Sequence, residues 1–184
     1  MAFVKLQDKP LAFTDTETTG LDPVTNEILE FASIKRHLDG REETLVVKIK
    51  PRRIHTAHPK ALEVNGYNEA EWADAEDLST AAPKIIDFLR NTVFVGHNAK
   101  FDVAFIEAFL KEAGIKERID YHVVDTCTLA YVMLVPQGAK SLSLKPVCEF
   151  LGIEPEPAVH RALAGAQSCM KVYDALNGQI VMTL

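Results

Sequence analysis

The stretch LAFTDTETTG (residues 11–20) begins apolar and ends acidic. An extended segment sends alternate side chains to opposite faces, so its apolar start can anchor in a core while Asp15 and Glu17, two apart, point the same way. LAFT (11–14) therefore reads as a short buried strand that stops at Asp15. Downstream, EILEFASIKRHLDG (27–40) alternates and closes on an Asp-Gly turn, and TLVVKIKP (44–51) reads as the return strand of a hairpin.

Past the basic, irregular stretch KPRRIHTAHPK (50–60), the pattern changes. Helices are expected over 80–91, 98–114, 128–134, 141–152 and 161–176, with brief strands at TVFVGH (92–97) and YHVVDT (121–126) and a loosely held tail from Gly178. Phe101, Phe105, Phe109 and Leu110 make 98–114 the clearest helix, with Asn98 as its expected N-cap and Gly114 just past its end. Antiparallel-type strands followed by strands interleaved with helices predict an α/β fold: one mixed β-sheet flanked by helices on both faces. At 184 residues, 47% of them hydrophobic, the chain can enclose a core of its own, and it reads as a single domain over 1–184 with its core at about 8–177.

Composition removes several classes of function. Cys127, Cys148 and Cys169 lie far apart with no C-x-x-C, which argues against a disulfide scaffold or zinc ribbon and suits a reducing cytoplasm. No segment approaches the roughly 20 apolar residues of a membrane span, and the N-terminus carries no apolar run of signal-peptide length. A net charge of -6 argues against gripping long nucleic acid over the whole surface, but permits an enzyme that touches a few nucleotides.

Three segments could carry chemistry. Asp15 and Glu17 put two carboxylates within reach of one ion, and oxygen ligands select a hard cation such as Mg²⁺ or Mn²⁺; read alone, the pair also describes a solvated strand end. In GHNAKFD (96–102), Asp102 falls near a helix N-terminus at the end of a strand, either as a ligand or as an ordinary helix-start acid. His160 follows EPEPAV (154–159), and on one helix it would stand about 140° from position 165, so the two face one site only if His160 lies in the loop before the helix.

Taken together, DTETTG (15–20), HNAKFD (97–102) and HRALAGA (160–166) resemble the three motifs of the DEDDh, or DnaQ-like, family of 3′-to-5′ exonucleases. HPKALEVNGY (58–67), VVDTCTLAYVMLVP (123–136) and SLSLKPVCEFLGI (141–153) extend the likeness over most of the chain. The resemblance implies an RNase-H-like fold and hydrolysis of terminal phosphodiesters by two Mg²⁺ or Mn²⁺ ions, releasing nucleoside 5′-monophosphates. It assigns metal binding to Asp15, Glu17 and Asp102 and the general base to His160. Thr18, Thr19, Gly20, Leu21, Asn65 and Phe101 would meet the terminal nucleotide. Single-stranded DNA 3′ ends are the implied substrate, RNA is an alternative, and a DNA polymerase is the implied partner. Lys48, Lys50, Arg52, Arg53 and Lys60 could steer a strand inward or simply solvate a hairpin edge.

One position departs from the pattern. The family reads H-x-x-x-x-D in its third motif, and the fourth metal-binding acid is here Gly165, set in a run of good helix formers where glycine costs roughly 1 kcal/mol relative to alanine. Four carboxylates balance two dications, so three fall one charge short. No adjacent acid replaces it, since Ala164 and Ala166 flank the gap, and a water could fill the space that glycine leaves. The glycine is compatible with an introduced change, with a weakly active natural nuclease, and with a non-catalytic module that binds 3′ ends. The retained acids and His160 favour a nuclease of impaired activity.

Overall fold

The computed structural model describes residues 5–183, with side chains described to residue 179. Strands β1 (Leu11–Thr18), β2 (Ile28–Arg36) and β3 (Glu42–Lys48) form an antiparallel meander. Helices α1 (Pro59–Asn65) and α2 (Leu78–Leu89) follow, then β4 (Val93–Gly96), α3 (Lys100–Glu112), β5 (Val123–Asp125), α4 (Thr126–Leu134), α5 (Leu144–Phe150) and α6 (Ala162–Thr183). The sheet order is β3-β2-β1-β4-β5, with β4 parallel to both β1 and β5. The mixed sheet with helices on both faces is as expected.

Strand alternation sorts the core into two layers. Ala12 and Phe31 face Ile85 and Ile86 of α2 and Phe105, Ile106 and Leu110 of α3. Phe13, Ile34 and Val95 face Ala166 and Cys169 of α6. Ala130, Leu134, Val147, Cys148, Val172 and Leu176 join α4, α5 and α6 into a third cluster. Among the described residues no helix is long and apolar enough to cross a membrane.

Several boundaries differ from the sequence reading, each for a local reason. β1 does not stop at Asp15: its pairing with β2 continues to Glu17 opposite Glu30, with a register shift before Thr18. The short helix α1 begins at the end of the irregular stretch and runs through a segment for which no helix was expected; Pro59 starts it, His58 caps it by accepting from Lys60 N, and Gly66 ends it at φ +63°. Asn98 does not cap α3, because it sits in the left-handed region at φ +63° and the helix begins after Ala99. The tail from Gly178 is not loose but continues α6 to Thr183.

The turn that delivers α3 is held by Asp125. Its Oδ1 accepts from Asn98 N at 2.8 Å and Cys127 N at 3.1 Å, while Oδ2 accepts from Thr128 Oγ1 at 2.8 Å. One carboxylate thus caps α4 and fixes the approach to Asp102. Replacing a capping acid by alanine costs about 0.5–2 kcal/mol, and Asp125→Ala is expected at or above the top of that range in urea unfolding, with Asp125→Asn closer to the parent.

Candidate active site

The site forms where β1 outruns its parallel neighbour. β4 pairs with β1 only as far as Val95 opposite Phe13, so the acidic end of β1 projects beyond that contact, and the first turn of α3 closes over its edge. Asp102, on that turn, is 2% exposed and its Oδ1 accepts from Thr16 Oγ1 at 2.7 Å. Asp15 and Glu17 share the face that packs on α6. The sequence-derived trio is thereby brought to one strand end from two separated segments.

Crowded carboxylates raise one another's pKa. Burial, then repulsion from Asp102 and Glu17, holds Asp15 well above the ordinary carboxylate value. Burial pushes Glu17 up to about 8, followed by repulsion from Glu156, Glu30 and Asp102, with Arg161 opposing. Asp102 rises to about 7 through burial, against the hydrogen bond from Thr16. Such a set of hard oxygen donors calls for positive charge between its members and fits a divalent cation chemically. Among the described residues, however, no three His, Cys, Asp or Glu side chains already converge closely enough to hold an ion.

Gly165 explains part of that arrangement. A Cβ built there would lie 2.6 Å from Asp15 Cγ and closer still to its Oδ2. The carboxylate of Asp15 therefore fills the space, so any larger residue at 165 must turn Asp15 away. Two further acids, Glu156 and Glu30, add repulsion that raises Asp15 and Glu17. Glu30 lies directly across from Glu17 on the neighbouring strand, a like-charge pairing visible in the register but not in a motif.

His160 stands in the loop before α6, as its spacing from position 165 required. Its N–H donates to Val64 O at 3.0 Å, its side chain is 42% exposed, and its Nδ1 lies 3.8 Å from Glu156 Oε1. Arg161, which carried no motif signal, donates to Asn65 O and to Glu71 Oε2 at 3.0 Å, tying the third motif to α1 and the segment after it.

Beside the acids lies a cleft of about 740 Å³ lined by Glu17, Thr18, Gly20, Leu21, Asn65 and Phe101 among others. Leu21 is 84% exposed at its rim. Thr18, Thr19 and Asn65 are buried and already bonded: Thr18 Oγ1 donates to Gly20 O, Thr19 Oγ1 accepts from Glu27 N, and Asn65 Nδ2 donates to Thr18 O at 3.1 Å. Gly20 has no room for a side chain, since a Cβ would lie 2.6 Å from Asn26 Cγ. The basic stretch is largely paired: Arg52 and Arg53 meet Glu112, Lys48 lies over Trp72, and Lys60 meets Glu63.

A family model described as exonuclease matches residues 12–173. The PolC-type DNA polymerase III of Thermotoga petrophila is 32% identical over 160 residues, covering 86% of this chain and 11% of that protein. The DNA polymerase III subunit epsilon of Pasteurella multocida is 29% identical over 173 residues, covering 89% of this chain and 66% of that one. The chain thus spans about a tenth of the PolC-type polymerase but about two thirds of the epsilon subunit. Among solved structures, Escherichia coli exonuclease I in a complex with single-stranded DNA superposes with a TM-score of 0.78 at 21% identity, over 92% of this chain and 41% of that one. The shared architecture is the RNase H-like fold.

The raised carboxyls give the metal-free protein a definite pH response. Where the folded state holds protons that the unfolded chain has lost, stability falls as pH rises. That window runs from the ordinary carboxylate range near ~4 to about 7 for Asp102 and about 8 for Glu17. Melting temperatures in chelator should fall across it, and Glu17→Gln should flatten part of the fall; equal slopes in both proteins would contradict the assignment.

Proposed function

Because the chain belongs to the exonuclease family, and to its DnaQ-like branch, we propose that it removes nucleotides from the 3′ ends of single-stranded or frayed DNA. The observation that carries this reading is the meeting of Asp15, Glu17 and Asp102 at one strand end, with an open cleft beside them. Asp15 and Glu17 would seat two Mg²⁺ or Mn²⁺ ions with Asp102. When bound, such ions polarise the scissile phosphate and stabilise charge on both the attacking and the leaving oxygen.

The chain's own groups do the remaining work. His160, in the loop before α6 with 42% of its side chain exposed, takes the proton of the attacking water as the general base. Leu21 and Phe101 offer apolar surface to the terminal base, which reads a base face but no sequence. Thr18, Thr19 and Asn65 hold the cleft wall in shape, since their hydrogen bonds run within the protein. The names of the relatives support a DNA polymerase as a partner.

Gly165 favours a second reading, a module that binds 3′ ends without cutting them. End-labelled oligonucleotides with Mn²⁺ separate the two. The nuclease reading predicts stepwise shortening from the 3′ end, slowed more than about 100-fold by Glu17→Gln, beyond what loss of an outer-shell partner typically costs. Gly165→Asp should raise the rate, provided Asp15 turns away from the new side chain. No shortening by either the parent or Gly165→Asp, with DNA still bound, would establish the binding module. Running RNA in parallel decides the substrate.

A further inference from the structure

His160 stands on the loop between α5 and α6, and little in that loop holds itself in place. Residues 153–161 form no helix or strand, and Glu154, Pro157, Ala158 and Val159 are exposed. The Glu156 side chain turns inward, 9% exposed, but at 3.8 Å from His160 Nδ1 it is beyond hydrogen-bond length. A group that must meet one water at one angle needs a firmer anchor, because small misplacements near reacting atoms are costly.

The anchor is the end of α1. His160 N–H donates to Val64 O at 3.0 Å, and Arg161 Nη1 donates to Asn65 O and, at 3.2 Å, back to His160 O. Val64 and Asn65 are the last residues of α1, whose carbonyls have no partner inside the helix. Gly66 leaves room for the approach, since a Cβ there would lie 2.9 Å from Val159 Cγ1. The outer side of the guanidinium is fixed as well. Arg161 Nη2 donates to Glu71 Oε2 at 3.0 Å, and its Cζ lies 5.7 Å from the ring of Trp72, over which Lys48 also lies. Trp72 is 3% exposed and donates from Nε1 to Leu29 O at 2.9 Å, which fastens this side to β2.

The helix so engaged is the wall of the cleft, lined by its Ala61, Val64 and Asn65. That wall has attachments of its own to the end of β1: His58 N donates to Thr19 O at 2.7 Å and Asn65 Nδ2 to Thr18 O at 3.1 Å. Among the described residues, Arg161 makes the only side-chain hydrogen bond between the loop and α1. We infer that Arg161 is a positioning residue, clamping the loop that carries His160 onto the cleft wall so that the imidazole and a strand end seated against α1 keep one register. The planar fork of arginine suits the task, because it serves several acceptors from one rigid group. This role rests on the nuclease reading of His160, whereas the clamp itself is measurable without substrate.

Arg161→Met is the test, since methionine keeps an apolar stem beside Trp72 and removes every donor. In chelator and without DNA, the His160 amide should exchange its hydrogen about tenfold faster than in the parent, the factor that one hydrogen bond to a charged group is worth, while the amides of α1 change little. In Mn²⁺ with an end-labelled oligonucleotide, kcat should fall by up to about 100-fold with KM nearly unchanged. In a His160→Ala background the same substitution should cost almost nothing further, because Arg161 acts through the base. Unchanged exchange at His160 would overturn the clamp. Equal losses of kcat in the parent and His160→Ala backgrounds would mark a merely structural residue, and a rise in KM that alone accounts for the lost kcat/KM would assign Arg161 to the cleft; either overturns the positioning role. No cleavage by the parent would remove the nuclease reading and the placing of a base with it, whatever the exchange shows.

Discussion

Repulsion among carboxylates at the end of β1 is the constraint around which the structure is organised. Asp15, Glu17 and Asp102 are gathered with Glu30 and Glu156 close enough that their charges act on one another. No fold places acids together for stability, because each buried carboxylate loses hydration and gains a like-charged neighbour. Without a cation, burial and repulsion raise these groups above the ordinary carboxylate value, Asp102 to about 7 and Glu17 to about 8; a bound cation is what would make the arrangement favourable.

The rest of the molecule holds that cluster against its own repulsion. Phe13, two residues before Asp15, is fully buried under α6, so the strand cannot slide to relieve the crowding. Asp125 fixes the turn before α3, and with it Asp102. Arg161 ties the loop of the third motif to α1 and tempers the charge on Glu17 and Glu30. These attachments come from three different parts of the chain, which is why the site needs the whole fold.

Much of this was legible in the sequence because it depends on local periodicity. The alternation in β1 places Asp15 and Glu17 on one face, the aromatic spacing gives α3, and the offset of His160 from position 165 requires the loop where it stands. What depends on tertiary contact was not legible. The left-handed turn at Asn98 arises from a carboxylate 27 residues away. The pairing of Glu30 with Glu17 needs the strand register, and the inward turn of Glu156 needs the loop's packing, for which two flanking prolines give no direction. α1 is too short for a periodic signal. Gly165 was seen as a missing acid, but that Asp15 occupies its space could only be found in three dimensions.

Placing the ions is the most direct measurement. A crystal soaked in Mn²⁺, with anomalous scattering collected at the manganese edge, should give a peak within about 2.0–2.6 Å of carboxylate oxygens from both Asp15 and Glu17, with Asp15 turned off Gly165. Anomalous peaks confined to other parts of the surface, with Asp15 still packed on Gly165, would contradict the account.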